Sequence, residues 1–174
     1  HLDLCLMGLA LGYHSQAVAI TPGAAISLGA KPLQLCGTDA QKQAHLPALA
    51  AGERMFVFGL SEPGRGSDAA NPEVTAVKRG DKWVINGEKC WSTNARWASH
   101  VVVHALTAPD APNGKRSTCF IVPMDQQGVF YQEMQDRKQS DFYLLHSAEP
   151  VKSGERYAMR TTVQYAFCSK AEAE

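Results

Sequence analysis

The pattern of apolar residues changes once along this chain, near Gly52, and that change limits the folds open to it. Before Gly52 the apolar residues have helical spacing, and the stretch from Leu4 to Ala30 contains no Asp, Glu, Lys or Arg. After Gly52 the chain consists of short runs rich in β-branched and aromatic residues, separated by turn sequences. Helices followed by strands, without alternation of the two, indicate an α+β protein and argue against a doubly wound parallel sheet.

The charge-free stretch is long enough to span a bilayer, which takes about 20 residues. However, His14, Pro22 and several glycines interrupt it, and neither end has the basic flank of an anchor or signal peptide. We therefore expect buried core helices and no membrane span. The sequence Thr21-Pro22-Gly23 predicts a break between a helix over residues 2–20 and a second short helix through Ala30.

A further helix is predicted immediately before the change in pattern. Thr38 and Gln41 have the spacing of a capping box, in which the hydroxyl accepts the third helical N–H and the amide reaches back to the cap. The helix is expected to begin at Thr38, to be interrupted or restarted at Pro47, and to stop at Gly52. Glycine suits that last position because it readily adopts the left-handed conformation after a final turn.

Six short strands are predicted after Gly52, with no helix between them. Gly80-Asp81 indicates a hairpin, and Asn86-Gly87 is the dipeptide best suited to a second tight turn. An antiparallel sandwich or barrel follows from this pattern. Beyond Gly128 the pattern is lost, although strand-like alternation returns over residues 156–167. The six predicted strands are residues 55–60, 75–78, 82–85, 89–93, 100–106 and 118–123.

Charge and cysteine content exclude some classes of function. The 17 Lys and Arg residues are balanced by 17 Asp and Glu residues, so the chain lacks the positive charge that would neutralise nucleic-acid phosphates. Nucleic-acid binding is not expected. The five cysteines are an odd number without any C-x-x-C pair, which favours a reducing compartment. The histidines do not have the spacing of metal ligands, so no metal site is expected.

A glycine-rich loop follows the first predicted strand, where Phe58 to Asp68 reads FGLSEPGRGSD. Glycines allow backbone N–H groups to approach a ligand closely, so such a loop can grip phosphate or flavin atoms. The same composition is typical of an ordinary turn. Trp91 can equally be a core aromatic of the sheet or the wall of a ligand site. Composition alone leaves these alternatives open.

Three motifs, taken together, resemble the acyl-CoA dehydrogenase family. They are CGTDAQK at residues 36–42, the loop at residues 58–68, and NGEKCWSTNA at residues 86–95. The resemblance covers about residues 15 to 130. It implies an α+β fold in which N-terminal helices precede an antiparallel β-barrel of the family's middle-domain type. The implied domains are a partial helical domain at 1–52, a flavin-binding barrel at 53–130, and a tail of uncertain fold at 131–174.

The resemblance also implies FAD as cofactor and an acyl-CoA as substrate. Trp91 would pack against the isoalloxazine, the Thr93 hydroxyl or a neighbouring N–H would bond the N5 region, and Ser67 would also face the acyl-CoA. A flavin that accepts hydride at N5 requires such an apolar wall, a donor at N5, and polar contacts to the ring. Ser61 stands where the family often has Thr, and Arg65 where a small or apolar residue is common. The cofactor-binding residues implied are Phe58, Gly59, Leu60, Ser61, Gly66, Ser67, Trp91, Ser92 and Thr93.

The implied reaction is α,β-dehydrogenation of an acyl-CoA thioester, with hydride transfer to flavin N5, and it needs a carboxylate base. In the family this Glu belongs to a C-terminal helical domain. We expect that domain to be absent here, and Glu62 belongs to the loop motif, so no catalytic residue is assigned. The 174 residues alone are expected to be inactive, to begin inside a larger protein, and to expose apolar patches. The full-length protein is expected to form a homo-oligomer in the cytoplasm or the mitochondrial matrix.

Residues 142–167 resemble a second family, the prolyl-hydroxylase type of 2-oxoglutarate and iron dioxygenases. There His146 would bind iron and Arg156 would pair with the cosubstrate carboxylate. The necessary H-x-D pair occurs only as His1-Leu2-Asp3, ahead of a predicted helix. A fusion near residue 133, a gene-model artefact and chance all stay open. The alternative functions are therefore a noncatalytic β-barrel interaction module, or a fusion or remnant related to these dioxygenases.

Overall fold

The computed structural model describes residues 2–112 and 114–131, together with the backbone of residues 158–162. Its N-terminal part is helical and its remainder is a sheet, as the change in pattern at Gly52 predicts. The predicted α+β class is therefore confirmed at this level. The helical elements are α1 (Leu2–His14), α2 (Gln16–Ala24), a π-helical segment (Ala25–Ala30), α3 (Lys31–Cys36) and α4 (Asp39–Ala50).

The predicted break at Thr21-Pro22-Gly23 is wrong, because the first helix ends earlier. Ser15 has an extended backbone with φ −160°, and its hydroxyl accepts from the Val18 N–H at the N-terminus of α2. The helix then continues through Pro22 into the π-helical segment. A capping serine within an apolar run ends α1, whereas the proline is accommodated within α2.

The capping box at α4 is confirmed. The Thr38 hydroxyl accepts from the Gln41 N–H at 3.2 Å, and the Gln41 side-chain oxygen accepts from the Thr38 N–H at 2.9 Å. The predicted interruption at Pro47 is wrong, since α4 runs through it to Ala50. Gly52 follows in a left-handed conformation with φ 76°, as expected of a residue after the last turn.

Five of the six predicted strands lie close to their predicted positions, but the strand predicted at residues 89–93 is wrong, since residues 89 and 90 end the strand Lys82–Cys90 and residues 91–93 lie beyond it. β2 and β3 form the hairpin expected around Gly80, whose φ is 66°. The strands are β1 (Phe56–Gly59), β2 (Thr75–Arg79), β3 (Lys82–Cys90), β4 (His100–Leu106), β5 (Ser117–Pro123) and β6 (Ala158–Thr162), and a short 3-10 helix (Ala95–Trp97) precedes β4.

The turn predicted at Asn86-Gly87 is wrong, because both residues lie within one long strand, β3. The first part of β3 pairs with β2 as far as Asn86, and the second part pairs with β6 from Asn86 onward. Gly87 has φ 141°, and a Cβ at this position would meet the backbone and side chain of Val74. The dipeptide therefore permits a change of partner strand and a close backbone approach.

The sheet has the order β1-β4-β2-β3-β6, with β5 paired to β4. β4 runs antiparallel to β5 but parallel to β1, and Leu106 at its end pairs in parallel with Thr75 of β2. The expectation of a wholly antiparallel sheet is therefore wrong. The reason is topological: the β2–β3 hairpin lies between β1 and β4 in the chain, so β1 and β4 meet through a crossover. The described strands form an open sheet.

β4 is buried on both faces, which explains its continuous run of valines. Val101 and Val103 point into an apolar core shared with β1, β2, β3 and β5, whereas Val102 points toward the helices. There it packs with Phe56 of β1 and Leu33 of α3, and residues of α4 cover this smaller cluster.

The helices lie against β1 through a close backbone contact. Gly29, in the π-helical segment, is buried, and a Cβ at this position would collide with the carbonyl oxygen of Phe56. A second contact is made by aromatic rings, since His45 of α4 lies 5.2 Å from Phe56 and from His100, measured between ring centroids. These contacts fix the helices relative to the strand that leads into the predicted flavin loop.

The expected burial of the first helix is wrong for the described residues. α1 has no buried residue, and the exposed fractions of Leu2, Leu9 and Tyr13 are 71%, 71% and 88%. α1 packs chiefly against α2, which leaves its other faces uncovered. None of the helices in the described part of the chain is long and apolar enough to cross a membrane.

Candidate functional site

The end of β1 and the end of β3 lie side by side. The Cys90 N–H donates to the Ser61 carbonyl at 2.8 Å, and the Ser92 hydroxyl donates to the Phe58 carbonyl at 3.3 Å. These bonds join the residues predicted from the glycine-rich loop to those predicted from the Trp-Ser-Thr segment. The structure thus places residues 58–61 next to residues 91–93, which the sequence separates by some 30 positions.

The segment after β3 has an unusual backbone. Trp91 has φ 61° and Asn94 has φ 68°, both in the left-handed region. That conformation is strained for a bulky residue such as Trp, with a cost of about 1–3 kcal/mol, and it is typical of functional sites. Asn94 is further tied to α2, since its side-chain amide donates to the Thr21 carbonyl at 3.0 Å. The surrounding structure therefore holds this segment in one conformation.

A cleft of about 410 Å³ opens beside Thr93, between this segment and the helices. Its other lining residues come from α1, α2 and the π-helical segment. Its size lies in the range of ligand pockets, about 300–1,000 Å³. Gly8 and Gly23 belong to the lining, and a Cβ at either position would meet no atom within 4 Å. The absence of side chains at these glycines keeps the cleft wide.

A buried ion pair lies next to the place where residues 58–61 at the end of β1 contact residues 90–93 at the end of β3, which we call the join of β1 and β3. The Lys89 ammonium lies 2.6 Å from the Glu62 carboxylate, and the exposed fractions of the two side chains are 0% and 1%. The same ammonium donates to the Leu60 carbonyl at 3.1 Å. The Glu62 carboxylate also accepts from the backbone N–H groups of Glu73 and Val74, at 2.6 and 3.0 Å.

The surroundings favour the charged form of Glu62 but disfavour the charged form of Lys89. Burial raises the pKa of Glu62, but the Lys89 ammonium and the two backbone N–H groups outweigh it, so the pKa lies below its ordinary value. Burial lowers the pKa of Lys89, and the neighbouring carboxylate opposes that effect. Because all the oxygens of Glu62 are engaged and enclosed, this residue cannot serve as a base toward a ligand.

The loop after Glu62 is held by surface ion pairs. Arg65 lies 2.8 Å from Asp68 and 3.0 Å from Glu73, and those two carboxylates share its charge. Gly66 and Ser67 are exposed within this loop, and neither lines the cleft at Thr93. The predicted site residues therefore fall into two groups: residues 58–61 and 91–93 meet at the join, whereas Gly66 and Ser67 lie in the adjoining loop.

Sequence reasoning missed two parts of this arrangement. Lys89 was not expected to be buried, because lysine side chains are seldom enclosed unless paired. The available signal was its place in a strand between Glu88 and Cys90, in a motif separate from the one that contains Glu62. The glycines of α1 were the second omission; their spacing at Gly8 and Gly12 puts both on one side of the helix.

The residues that resemble the dioxygenases lie outside the described part of the chain. His146 and Arg156 belong to residues 132–157, outside the described residues. Only the backbone of β6, within the alternating segment 156–167, is described, and it adds a strand to β3. The iron-site hypothesis therefore stays a prediction.

Two family models match the chain over ranges that do not overlap. Residues 1–53 match the N-terminal domain of acyl-CoA dehydrogenase, and residues 57–144 match the middle domain of acyl-CoA dehydrogenase. The two matches meet where α4 ends and β1 begins. They correspond to the helical part and the sheet part of the structure, in the same order.

Individual relatives carry related names. The chain is 45% identical over 113 residues to the probable acyl-CoA dehydrogenase YngJ of Bacillus subtilis, a match that covers 65% of this chain and 30% of the relative. It is 39% identical over 126 residues to the human mitochondrial short-chain specific acyl-CoA dehydrogenase, covering 72% of this chain and 30% of the relative. The chain thus spans about 30% of the length of these relatives.

Solved structures have a similar fold. An acyl-CoA dehydrogenase from Bacillus anthracis, complexed with FAD, matches with a TM-score of 0.71 and 30% identity, over 90% of this chain and 24% of that one. Butyryl-CoA dehydrogenase from Megasphaera elsdenii matches with a TM-score of 0.69 and 30% identity, over 86% and 37% of the two chains. The likeness therefore includes both the helices and the sheet.

Proposed function

Because this chain belongs to the acyl-CoA dehydrogenase family, we propose that it forms the flavin wall of an enzyme that oxidises an acyl-CoA. The cofactor is FAD. The family match supplies the chemical class, and the join of β1 with β3 supplies a site for it on this chain. The single observation that carries the proposal is the contact between residues 58–61 and residues 91–93, beside a cleft that reaches Thr93.

The residues present fit a flavin. Trp91 offers a large flat side chain on a backbone held in a left-handed conformation, and Thr93, which carries a hydroxyl, lines the cleft. Ser61 adds a hydroxyl and Leu60 adds apolar surface, while the buried Ser92 holds the segment against β1 through its bond to the Phe58 carbonyl. In this proposal the cofactor-binding set remains Phe58, Gly59, Leu60, Ser61, Gly66, Ser67, Trp91, Ser92 and Thr93.

FAD, when bound, supplies the acceptor for the hydride that leaves the β-carbon of the acyl-CoA. The protein residues perform the other tasks: Trp91 orients the ring, the helices of the cleft exclude water, and Ser67 contacts the acyl-CoA. The cleft between α1 and α2 receives the apolar part of the substrate, since its lining is open at Gly8 and Gly23. Removal of the α-proton needs a base, and the enclosed carboxylate of Glu62 does not provide it.

The organisation of the chain follows from the same reasoning. We propose a partial helical domain at 1–52, a flavin-binding domain at 53–130, and a divergent tail at 131–174, although β6 of that tail pairs with β3 and the middle-domain match runs to residue 144. The change from helices to strands and the meeting of the two family matches support the first boundary. We also propose that the sheet closes into a barrel in the whole protein. That protein would be a homo-oligomer of the cytoplasm or the mitochondrial matrix.

Titration of FAD into the purified 174-residue chain tests the cofactor assignment. Binding should quench flavin fluorescence, and Trp91→Ala should weaken it by at least about 10-fold, or some 1.4 kcal/mol. Trp97→Ala is the matched control, because Trp97 is 61% exposed and belongs to the 3-10 helix after the segment. Equal loss in both variants, or no binding by the parent chain, would contradict the assignment.

A second experiment tests whether these 174 residues are active alone, and its first step, FAD uptake, separates the enzyme from a noncatalytic interaction module. Anaerobic addition of an acyl-CoA to the flavin-loaded chain should leave the flavin absorbance unchanged, since no base is assigned among these residues. Bleaching of the flavin band would show that the 174 residues are active alone. Failure to take up FAD at all would favour the module.

A further inference from the structure

We infer that Lys89 is a positioning residue for the flavin wall, acting through the Leu60 carbonyl and the Glu62 carboxylate. This inference rests on the proposed function, because it assigns a role within that site. Lys89 would not touch the cofactor. It would hold the strand end at residues 58–61 at a fixed distance from the segment at residues 91–93.

The contacts of Lys89 reach both sides of the join. Its own backbone lies in β3, two residues before Trp91, and its ammonium donates to the carbonyl of Leu60 at 3.1 Å. Two further links lie close to this contact: the Cys90 N–H donates to the Ser61 carbonyl at 2.8 Å, one position along both segments, and the Ser92 hydroxyl donates to the Phe58 carbonyl at 3.3 Å. The Lys89 bond thus lies between one main-chain link and one side-chain link that connect the two segments.

The Glu62 carboxylate extends this hold into the glycine-rich loop. It accepts from Lys89 at 2.6 Å and from the N–H groups of Glu73 and Val74 at 2.6 and 3.0 Å. The Glu62 carboxylate therefore links the beginning of the loop to its end, and Lys89 of β3 supplies the positive charge that pairs with it. The loop that contains Gly66 and Ser67 is closed at its base by this pair.

The cost of enclosing the two charges points to a role beyond stability. An enclosed ion pair contributes little net stability relative to apolar residues of the same volume, although removing one partner alone is strongly destabilising. A pair that serves only packing could therefore be replaced by apolar or neutral side chains. The geometry that only the pair provides is a bond from β3 to the Leu60 carbonyl, next to the strained Trp91.

The test compares three variants of the 174-residue chain with the parent. Lys89→Met removes the cation, and the double variant Glu62→Gln/Lys89→Met removes both charges, so that it should fold even if the single variant does not. Val122→Ala, in the core formed by β4 and β5, is the control for a general loss of stability. Two quantities are measured well below each melting temperature: the dissociation constant for FAD, and the hydrogen-exchange rate of the Cys90 amide.

The double variant should weaken FAD binding by at least about 10-fold and exchange the Cys90 amide faster than Val122→Ala does. Equal effects in the double variant and in Val122→Ala would overturn the positioning role. If the parent chain binds no FAD, the proposed function fails, and the Cys90 amide alone decides the role of Lys89. Unchanged protection of that amide in the double variant would then refute it.

Discussion

Gly87 is a residue at which both the backbone conformation and the available space disfavour a side chain. Its φ of 141° is rarely adopted by other residues, and a Cβ would lie 2.9 Å from the Val74 Cα. We expect Gly87→Ala to lower the free energy of unfolding by about 2 kcal/mol or more. Urea unfolding followed by circular dichroism measures this. Gly66→Ala is the control, since a Cβ there meets nothing within 4 Å; an equal loss in both would contradict the account.

The second prediction at the residue scale concerns pH. Burial lowers the pKa of His100 from 6.5 to about 4, and the nearby charges of His45 and Arg54 add to that effect, while Asp125 opposes it. The ring stacks on Phe56 at 4.7 Å between centroids. The unfolded chain binds the proton more readily than the folded chain does. The free energy of unfolding should therefore fall as the pH drops from about 6.5 to 4, by roughly 3 kcal/mol at most.

Urea titrations at a series of pH values measure this dependence. His100→Phe keeps an aromatic ring against Phe56 but cannot take up a proton, so its stability should change much less over the same interval. An unchanged pH dependence in His100→Phe would assign the effect to other groups. Glu62 does not confuse the comparison, because its pKa is lowered by the same contacts in both chains, so the stability lost as its carboxylate protonates in acid is common to His100→Phe and the parent.

At the scale of single elements, the capping box of α4 gives a quantitative expectation. Thr38→Ala removes the acceptor of the Gln41 N–H and should cost about 1 kcal/mol. Ser15→Ala is a matched control at the N-terminus of α2, where the corresponding bond to Val18 is longer, at 3.5 Å. Chemical denaturation of both variants gives the comparison. A larger loss in Ser15→Ala than in Thr38→Ala would contradict the assignment of the stronger cap.

Elements with a local physical signal were predictable from the sequence. The capping box at Thr38, the left-handed Gly52 and the hairpin at Gly80 depend on neighbours within a few residues. Errors arose where contacts between residues distant in the sequence determine the structure. Asn86-Gly87 is typical of a turn, but pairing with β6 and close contact with Val74 make it part of a strand. The burial of α1 was likewise expected from its apolar composition, although composition alone does not identify a partner.

The candidate site shows the same division. The motifs predicted that residues 58–61 and 91–93 belong together, and the hydrogen bonds at their join agree with this. The enclosed pair of Glu62 and Lys89 depends on three separate parts of the chain, so no local pattern could reveal it. The parallel pairing of β1 with β4 was also missed, since both strands read equally well as members of an antiparallel sheet.

At the scale of the whole molecule, the exposed side of α1 predicts association. Leu2, Leu6, Leu9 and Tyr13 are spaced three or four residues apart and are 54–88% exposed, so they form one apolar stripe. We expect the purified 174-residue chain to self-associate at rising concentration, as sedimentation velocity can show. Leu6→Gln/Leu9→Gln should reduce the association. The control Ala44→Gln adds the same amide at an exposed position of α4, away from the stripe, and an equal effect there would contradict the prediction.

The parallel pairing of β1 with β4 has a consequence for the order of folding. The Ser99–Met55 contact next to it closes a segment of 44 residues, whereas β4 and β5 are joined by a short connection. Closing the longer loop costs more chain entropy than closing the shorter one, and this cost arises before the contacts that offset it have formed. The β4–β5 hairpin should therefore form early, with the other edge of β4 still unpaired. The later pairing of β1 with that edge should set the refolding rate.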